Sequence, residues 1–446
     1  MATMTERPPG VRQGPALAAL ATAQFLVVLS TSIVNVALPA LADGLAMSPA
    51  QLSWVVNAYV LAFGALLLLG GRLADLLGRR RVFTAGMVVF AVASLASGLA
   101  PSAPVLIAAR AVQGAGAALL APAALALVLT VFPPGPGRGR ALGVWGAVSG
   151  AGGAAGVLLS GVLTELYGWP AVFLVSVPVT AVSLVATLLL VPADRPAGGG
   201  VDILGAVTST TGLTALVYAL TAKNLVAGAA GLLLLGVFAL RQSRAKTPLV
   251  PPRLLRTGKV AVANIAMTLL GAVWVGLFYF LPLYQQQILG YGPLAAGLTQ
   301  LPLALSVVAG SVLAPRLPAR AGTPAALAVL TFGLAWLALA PDDASFVVHL
   351  LGPSLLIGAG LGAAFVRLTA LSTEGVRPAD SGLAGGLINT TRQLGGALGL
   401  ALMTAVAPTA AGHSSAFVTA AVLAALTTCT ALTSTFTFTF ARRNQS

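Results

Sequence analysis

The sequence predicts an all-α polytopic membrane protein: two six-helix bundles and an extra helix pair, about 14 transmembrane helices in all. Three observations carry this. Of the 446 residues, 58% are hydrophobic and 8% charged, where a soluble domain carries about 25% charged residues. The apolar residues fall in runs of roughly the 20 residues that a helix needs to cross the hydrocarbon core. The 24 basic residues, behind a net charge of +14, cluster between those runs. That is the pattern of cytoplasmic loops under the positive-inside rule, and not the basic stripe of a nucleic-acid binder.

In chain order the runs lie near 16–41, 51–69, 82–100, 104–132, 141–164 and 171–191, then 203–222 and 225–240. The remaining six lie near 260–283, 294–314, 323–340, 346–366, 382–406 and 416–440. The first is too long for a signal-peptide core. Fourteen crossings put both termini in the cytoplasm, and every basic residue except Lys223, Arg110 and Arg392 then falls on the cytoplasmic side. Asp43, Glu165, Asp342 and Asp343 fall outside. No connection is long enough for a soluble domain. The polar stretch 241–259 contains Pro248, Pro251 and Pro252, which block a continuous helix. The chain divides into an N-terminal bundle (1–191), an extra pair with cytoplasmic linkers (192–259) and a C-terminal bundle (260–446). Repeated bundles of this kind place a midplane site between halves that rock.

Cys429 is the single cysteine, and His349 and His413 lie far apart, so neither a disulfide nor a metal cluster is expected. No cofactor is expected, and no enzyme constellation occurs within a span.

The loop after span two reads Gly-Gly-Arg-Leu-Ala-Asp-Leu-Leu-Gly-Arg-Arg-Arg at 70–81. Its glycines permit a tight turn, and Asp75 can accept hydrogen bonds from a helix N-terminus or an arginine. Gly71, Asp75, Gly78 and Arg79 are therefore candidates for a latch that holds two helices in one conformation. Arg80 and Arg81 are explained by the positive-inside rule alone.

Span four carries Arg110, Gln113 and Gly114 on one face, at spacings i, i+3 and i+4. A central arginine costs about 2.5–3.5 kcal/mol, a cost offset where the face lines a wet cavity. Near a helix end, Arg110 would instead snorkel to the headgroups. Span thirteen repeats the spacing with Asn389, Arg392 and Gln393. Two cationic faces, one per half, point to a shared central pathway. Ser30 and Asn35 of span one and Asn57 of span two add polar groups to it; Ser and Thr within spans are otherwise commonly interhelical glue. Spans five and thirteen are rich in glycine, from Gly146 to Gly161 and from Gly395 to Gly399, which lets helices approach closely.

Taken together, these residues resemble the major facilitator superfamily, and within it the fourteen-helix drug–proton antiporter branch. The likeness covers nearly the whole chain. It rests on 71–81, on Arg110–Gly116, on Ile-Val-Asn-Val-Ala-Leu-Pro at 33–39 and on Trp-Val-Val-Asn-Ala-Tyr at 54–59. Pro-Leu-Val-Pro at 248–251 and the segment 389–396 add to it. The resemblance implies a monomeric secondary transporter of the plasma (inner) membrane that exports small amphipathic drugs or natural products by alternating access, with protons as counter-substrate. It implies Asp75 as gating latch and Arg110 in the pathway or proton relay.

Three positions depart from that pattern. Ser30 stands where the branch usually carries an aspartate, Val157 where it has proline after glycine, and Ala319 where a second latch copy would have its aspartate. No carboxylate remains at mid-depth; Glu165 and Asp43, at the outer ends of spans five and one, are the nearest candidate proton sites. An uncoupled or differently coupled transporter is the alternative. A receptor or embedded enzyme is the reading from another class, and a Walker-type phosphate loop is absent.

Overall fold

The computed structural model describes residues 13–133, 135–192, 194, 200, 202–245, 247–255, 258–318, 321–377, 380–407 and 412–443. Within them every regular element is helical. The N-terminal half comprises α1 (Gln13–Ser32), α2 (Leu38–Gly44), α3 (Pro49–Leu77), α4 (Arg79–Gly98), α5 (Ala103–Val131), α6 (Pro136–Tyr167), α7 (Ala171–Leu174) and α8 (Ser176–Leu190). The extra pair is α9 (Ile203–Ala222) and α10 (Leu225–Arg244), followed by the short α11 (Pro252–Leu255). The C-terminal half comprises α12 (Gly258–Leu283), α13 (Pro293–Leu313), α14 (Gly322–Leu337), α15 (Leu351–Thr373), α16 (Ser381–Val406) and α17 (His413–Arg443).

Among the described residues, twelve helices are long and apolar enough to cross a membrane, against the fourteen spans expected. The other two expected runs also fall on helices. Gly322–Leu337 has 16 residues, about 24 Å at 1.5 Å per residue. Ser381–Val406 has 26 residues, but Asn389 to Gln393 make its middle polar.

Local chemistry sets several boundaries. α3 opens on a capping box, in which Ser48 Oγ accepts from the Gln51 N–H and Gln51 Oε1 accepts from the Ser48 N–H, with Pro49 in the first turn. The first expected span is broken: α1 ends at Ser32, and short-range bonds such as Asn35 N–H to Ser32 (3.2 Å) and Ala37 N–H to Val34 (3.1 Å) lead into α2. Pro39, lacking an N–H and crowding the carbonyl four residues back, accounts for the break. A five-residue π-helix, Tyr284–Ile288, extends α12 beyond Pro282.

Within each half, helices cross backbone to backbone. A methyl group added at Gly70 would overlap the Ala118 carbonyl, locking α3 to α5, whereas one at Gly71 would meet only Pro122, at 3.6 Å. In the second half, Gly395 sits against the Thr268 carbonyl and Gly362 against the Val307 carbonyl. The glycine-rich spans divide by partner. Gly152 and Gly156 pack on α1, and Gly395, Gly396 and Gly399 pack on α12, all within one half; Gly161 packs across on Pro293 and Leu294 of the other. The halves meet along two seams, α3 on α16 and α6 on α13.

α9 packs on both α3 and α16, so the extra pair covers one of these seams, and α10 packs on α9. A buried carboxylate ties the pair together. Asp202 accepts from the Gly205 N–H (2.9 Å), from Arg241 Nε (2.6 Å) and from Gln242 Nε2 (2.8 Å). Burial alone would raise its pKa, but these hydrogen bonds outweigh that effect and hold the carboxyl below the usual carboxylate range.

A depressed folded-state pKa contributes stability above the unfolded value, about 3.9, which is lost as pH falls through the folded value. Detergent-solubilised protein should therefore lose thermal stability below about pH 4. Asp202→Asn, compared by melting temperature across pH 3–7, should be less stable than the unaltered chain near neutrality and show a flatter acid limb.

Candidate functional site

Arg110 is 1% exposed, eight residues into α5, and its side chain turns into the protein instead of reaching outward. Each of its three guanidinium nitrogens has a partner. Nε donates to the Val55 carbonyl (3.0 Å), Nη1 to Gln113 Oε1 (2.5 Å) and Nη2 to the Ser30 carbonyl (3.4 Å). Gln113 Nε2 in turn donates to Ser94 Oγ (2.8 Å) and Ser30 Oγ (3.5 Å). The cation also lies over the Tyr59 ring at 4.3 Å. Hydrogen bonds to a charged group contribute about 1.5–3 kcal/mol each, so the set exceeds an insertion cost of about 2.5–3.5 kcal/mol. Neutral groups on α1, α3 and its own helix α5 thus satisfy the arginine, with Ser94 of α4 holding Gln113, and no carboxylate is needed. Ser30 and Ser94 complete what the i, i+3 spacing began; Ser94 was not legible because it arrives from another helix.

The second arginine differs. Arg392 makes no hydrogen bond or ion pair among the described residues, and its buried Nε has no partner. Among the described residues, the rings of Trp274 (5.9 Å) and Phe365 (5.6 Å) lie within cation–π range of its guanidinium. These lie near the roughly 6 Å limit of the interaction, where about 0.5–1 kcal/mol apiece leaves much of the insertion cost uncompensated. Gln393 is 3% exposed with an unpartnered Nε2, against α3 at Gly64. Asn389 is exposed and donates to the Gly385 carbonyl (3.1 Å). The three residues of span thirteen are therefore not joined as those of span four are.

Asn35 and Asn57 also part company. Asn35 Nδ2 donates to the Thr31 carbonyl (3.3 Å), whereas Asn57 is fully buried with both amide atoms unpartnered among the described residues.

At the arginine-rich end, α3 runs on through residue 77 and the turn falls at Gly78. Gly78 has φ +98°, a conformation that favours glycine, and it joins α3 directly to α4. Having no side chain, it cannot cap α4. That task falls to Asp194, whose carboxylate accepts from the Arg79 N–H (2.7 Å) and the Arg80 N–H (3.0 Å). Asp75 stands 3.8 Å from Arg79 Nη2, both half-exposed, while Arg79 Nη1 donates to Thr130 Oγ1 (2.6 Å). The unfilled N-terminus after Gly78 was the available signal for Asp194. Ala319, in the second latch copy, lies outside the described residues.

At the opposite end, Gln286 of the π-helix donates across the halves to the Val36 carbonyl (2.8 Å), in the break after α1. Glu165 and Asp43 are both exposed there. Glu165 adjoins Gly292 of the other half, within 3.4 Å of a methyl group placed on it.

The chain matches the Major Facilitator Superfamily over residues 20–400. It belongs to that superfamily. Among relatives, the cephamycin export protein of Amycolatopsis lactamdurans is 45% identical, over 88% of this chain and 84% of its own. The puromycin resistance protein of Streptomyces alboniger is 41% identical, over 89% and 82%. The solved structure of a bacterial homologue of the human lysosomal transporter Spinster aligns with a TM-score of 0.69 at 16% identity, covering 96% of this chain and 97% of its own. That likeness concerns the fold. A multi-pass transporter of this superfamily is thus the frame for the two arginines.

Two comparisons test the site by thermal unfolding in detergent. Gln113→Leu strands the Arg110 guanidinium and should cost about 1.5–3 kcal/mol, whereas Gln393→Leu removes an unpaired amide and should be near neutral. Asp194→Ala should cost about 1 kcal/mol as a lost helix cap, and Asp75→Asn less than that, as expected for an exposed pair.

Proposed function

We propose that this chain exports amphipathic small molecules, drugs or natural products, across the plasma (inner) membrane by alternating access coupled to proton antiport. The observation behind this is the contrast between halves and seams. Each half is held by many close glycine crossings, whereas between the halves Gly161 and Gly297 pack at the seam of α6 and α13 and the far-end closure adds one side-chain bond among the described residues, Gln286 to Val36. A neutral hydrogen bond contributes about 0.5–1.5 kcal/mol net, little enough to break and remake in a transport cycle. Relatives named for cephamycin export, puromycin resistance and lincomycin resistance support an organic cargo.

In this reading the chain has fourteen spans with both termini cytoplasmic: bundles 1–191 and 260–446 and the pair with its linkers at 192–259. Arg110, Gln113, Ser30, Asn35, Asn57, Asn389, Arg392 and Gln393 belong to the pathway. Gly71, Asp75, Gly78 and Arg79 form the gating latch, with Asp194 as its partner. Glu165, at the seam between α6 and α13, is the first candidate for the proton, and Asp43 the second.

A second reading, an uncoupled or differently coupled transporter, is favoured by Ser30. Its hydroxyl and carbonyl join a network that is satisfied without an acid. Everted vesicles given a fluorescent amphipathic dye distinguish the two. Antiport requires uphill dye accumulation that collapses when an uncoupler is added and drops at least fivefold in Glu165→Gln. Saturable flux indifferent to the uncoupler would support the second reading, and no flux across a compound panel would refute export.

A further inference from the structure

We infer that Arg392 is an anion-recognition point for the exported molecule, and that the cargo is an amphipathic carboxylic acid whose apolar body lies along Trp274 and Phe365. This rests on the transport reading above and names its substrate class.

The two intramembrane arginines supply the argument by contrast. Arg110 has its guanidinium consumed by Val55, Ser30 and Gln113, so it has little left to offer a ligand. Arg392 has a buried Nε without a partner and no hydrogen bond or ion pair among the described residues. No counter-ion is at hand. The nearest described carboxylates in sequence, Glu374 and Asp380, are occupied by Lys259 and by Arg253 and Arg377 near the helix ends. Arg392 lies midway along α16.

The neighbours fit an acid with an apolar body. Arg392, Trp274 and Phe365 are each partly exposed, so the group opens to an incoming molecule. The next residue, Gln393, has a buried Nε2 without a partner among the described residues. Its Cβ lies against Gly64 of α3, in the other half, so α16 meets the first half one residue away from Arg392. A carboxylate takes a guanidinium fork through two parallel bonds, and aromatic faces beside the cation receive an aryl body. A cationic cargo would meet an uncancelled positive charge.

The probes are dansyl-phenylalanine and its methyl ester, equal in apolar body and differing in the carboxylate. Dissociation constants are measured on purified full-length protein in detergent, and flux in proteoliposomes. The ratio of the two constants is insensitive to the fraction of misfolded protein. The unaltered chain should bind the acid about tenfold or more tightly than the ester, as befits a charge-assisted pair. Arg392→Gln should bring the ratio to within about twofold of unity, and Arg392→Lys should keep at least part of the preference. Equal affinities in the unaltered chain, or an unchanged ratio in Arg392→Gln, would overturn the inference. If both probes show saturable flux without a preference, the anion site fails and the transport reading stands. If neither binds nor moves, both readings fail together.

Discussion

The controlling constraint is electrostatic: a guanidinium held inside a membrane with no acid to neutralise it. Such a charge must be satisfied by neutral donors and acceptors or left accessible to something that enters. This protein does one of each. Around Arg110, carbonyls from α1 and α3, an amide from its own helix and the Tyr59 ring enclose the cation, and this fixes how those helices approach each other. Around Arg392 the helices of the second half leave the charge between two aromatic faces. The internal pseudo-symmetry of the fold is thus broken where the chemistry is, with a strut in one half and an open valence in the other.

Much of this was readable from residue order, and the failures have a common origin. Span positions follow from apolar runs, and the arginine clusters mark one end of the bundle, because both depend only on local composition. The i, i+3 pair Arg110 and Gln113 was legible because a helix puts those positions together. The same spacing at Asn389 and Arg392 fixes relative direction on α16 but not what stands opposite, and Asn389 turns to its own backbone. Asp194 was overlooked because its bonds to Arg79 and Arg80 close a loop of more than a hundred residues. Asp75, the acid within the motif, is instead a half-exposed neighbour of Arg79. The break after Ser32 was foreshadowed by Pro39, yet its use, a bond from Gln286 to the Val36 carbonyl, depends on a helix of the other half.

The extra pair adds a separate lesson. Its first helix lies on α3 and α16, one from each half, and its second lies on the first. Asp202 anchors the pair internally through Arg241 and Gln242, so the two helices hold together as a unit over the seam of α3 and α16. A buried ion pair at that position satisfies the orphan amides at the start of α9 while holding two helix ends together.

The close crossings at Gly70, Gly362 and Gly395 carry an implication for variation. Where a main-chain oxygen sits in the space a side chain would need, the smallest lesion is among the most damaging, and no neighbouring rotamer can relieve it. The lipid-facing leucines and valines of α10, by contrast, can be exchanged for one another freely. Tolerance in this chain therefore runs opposite to side-chain size: its least conspicuous residues are the ones that natural drift has least room to alter.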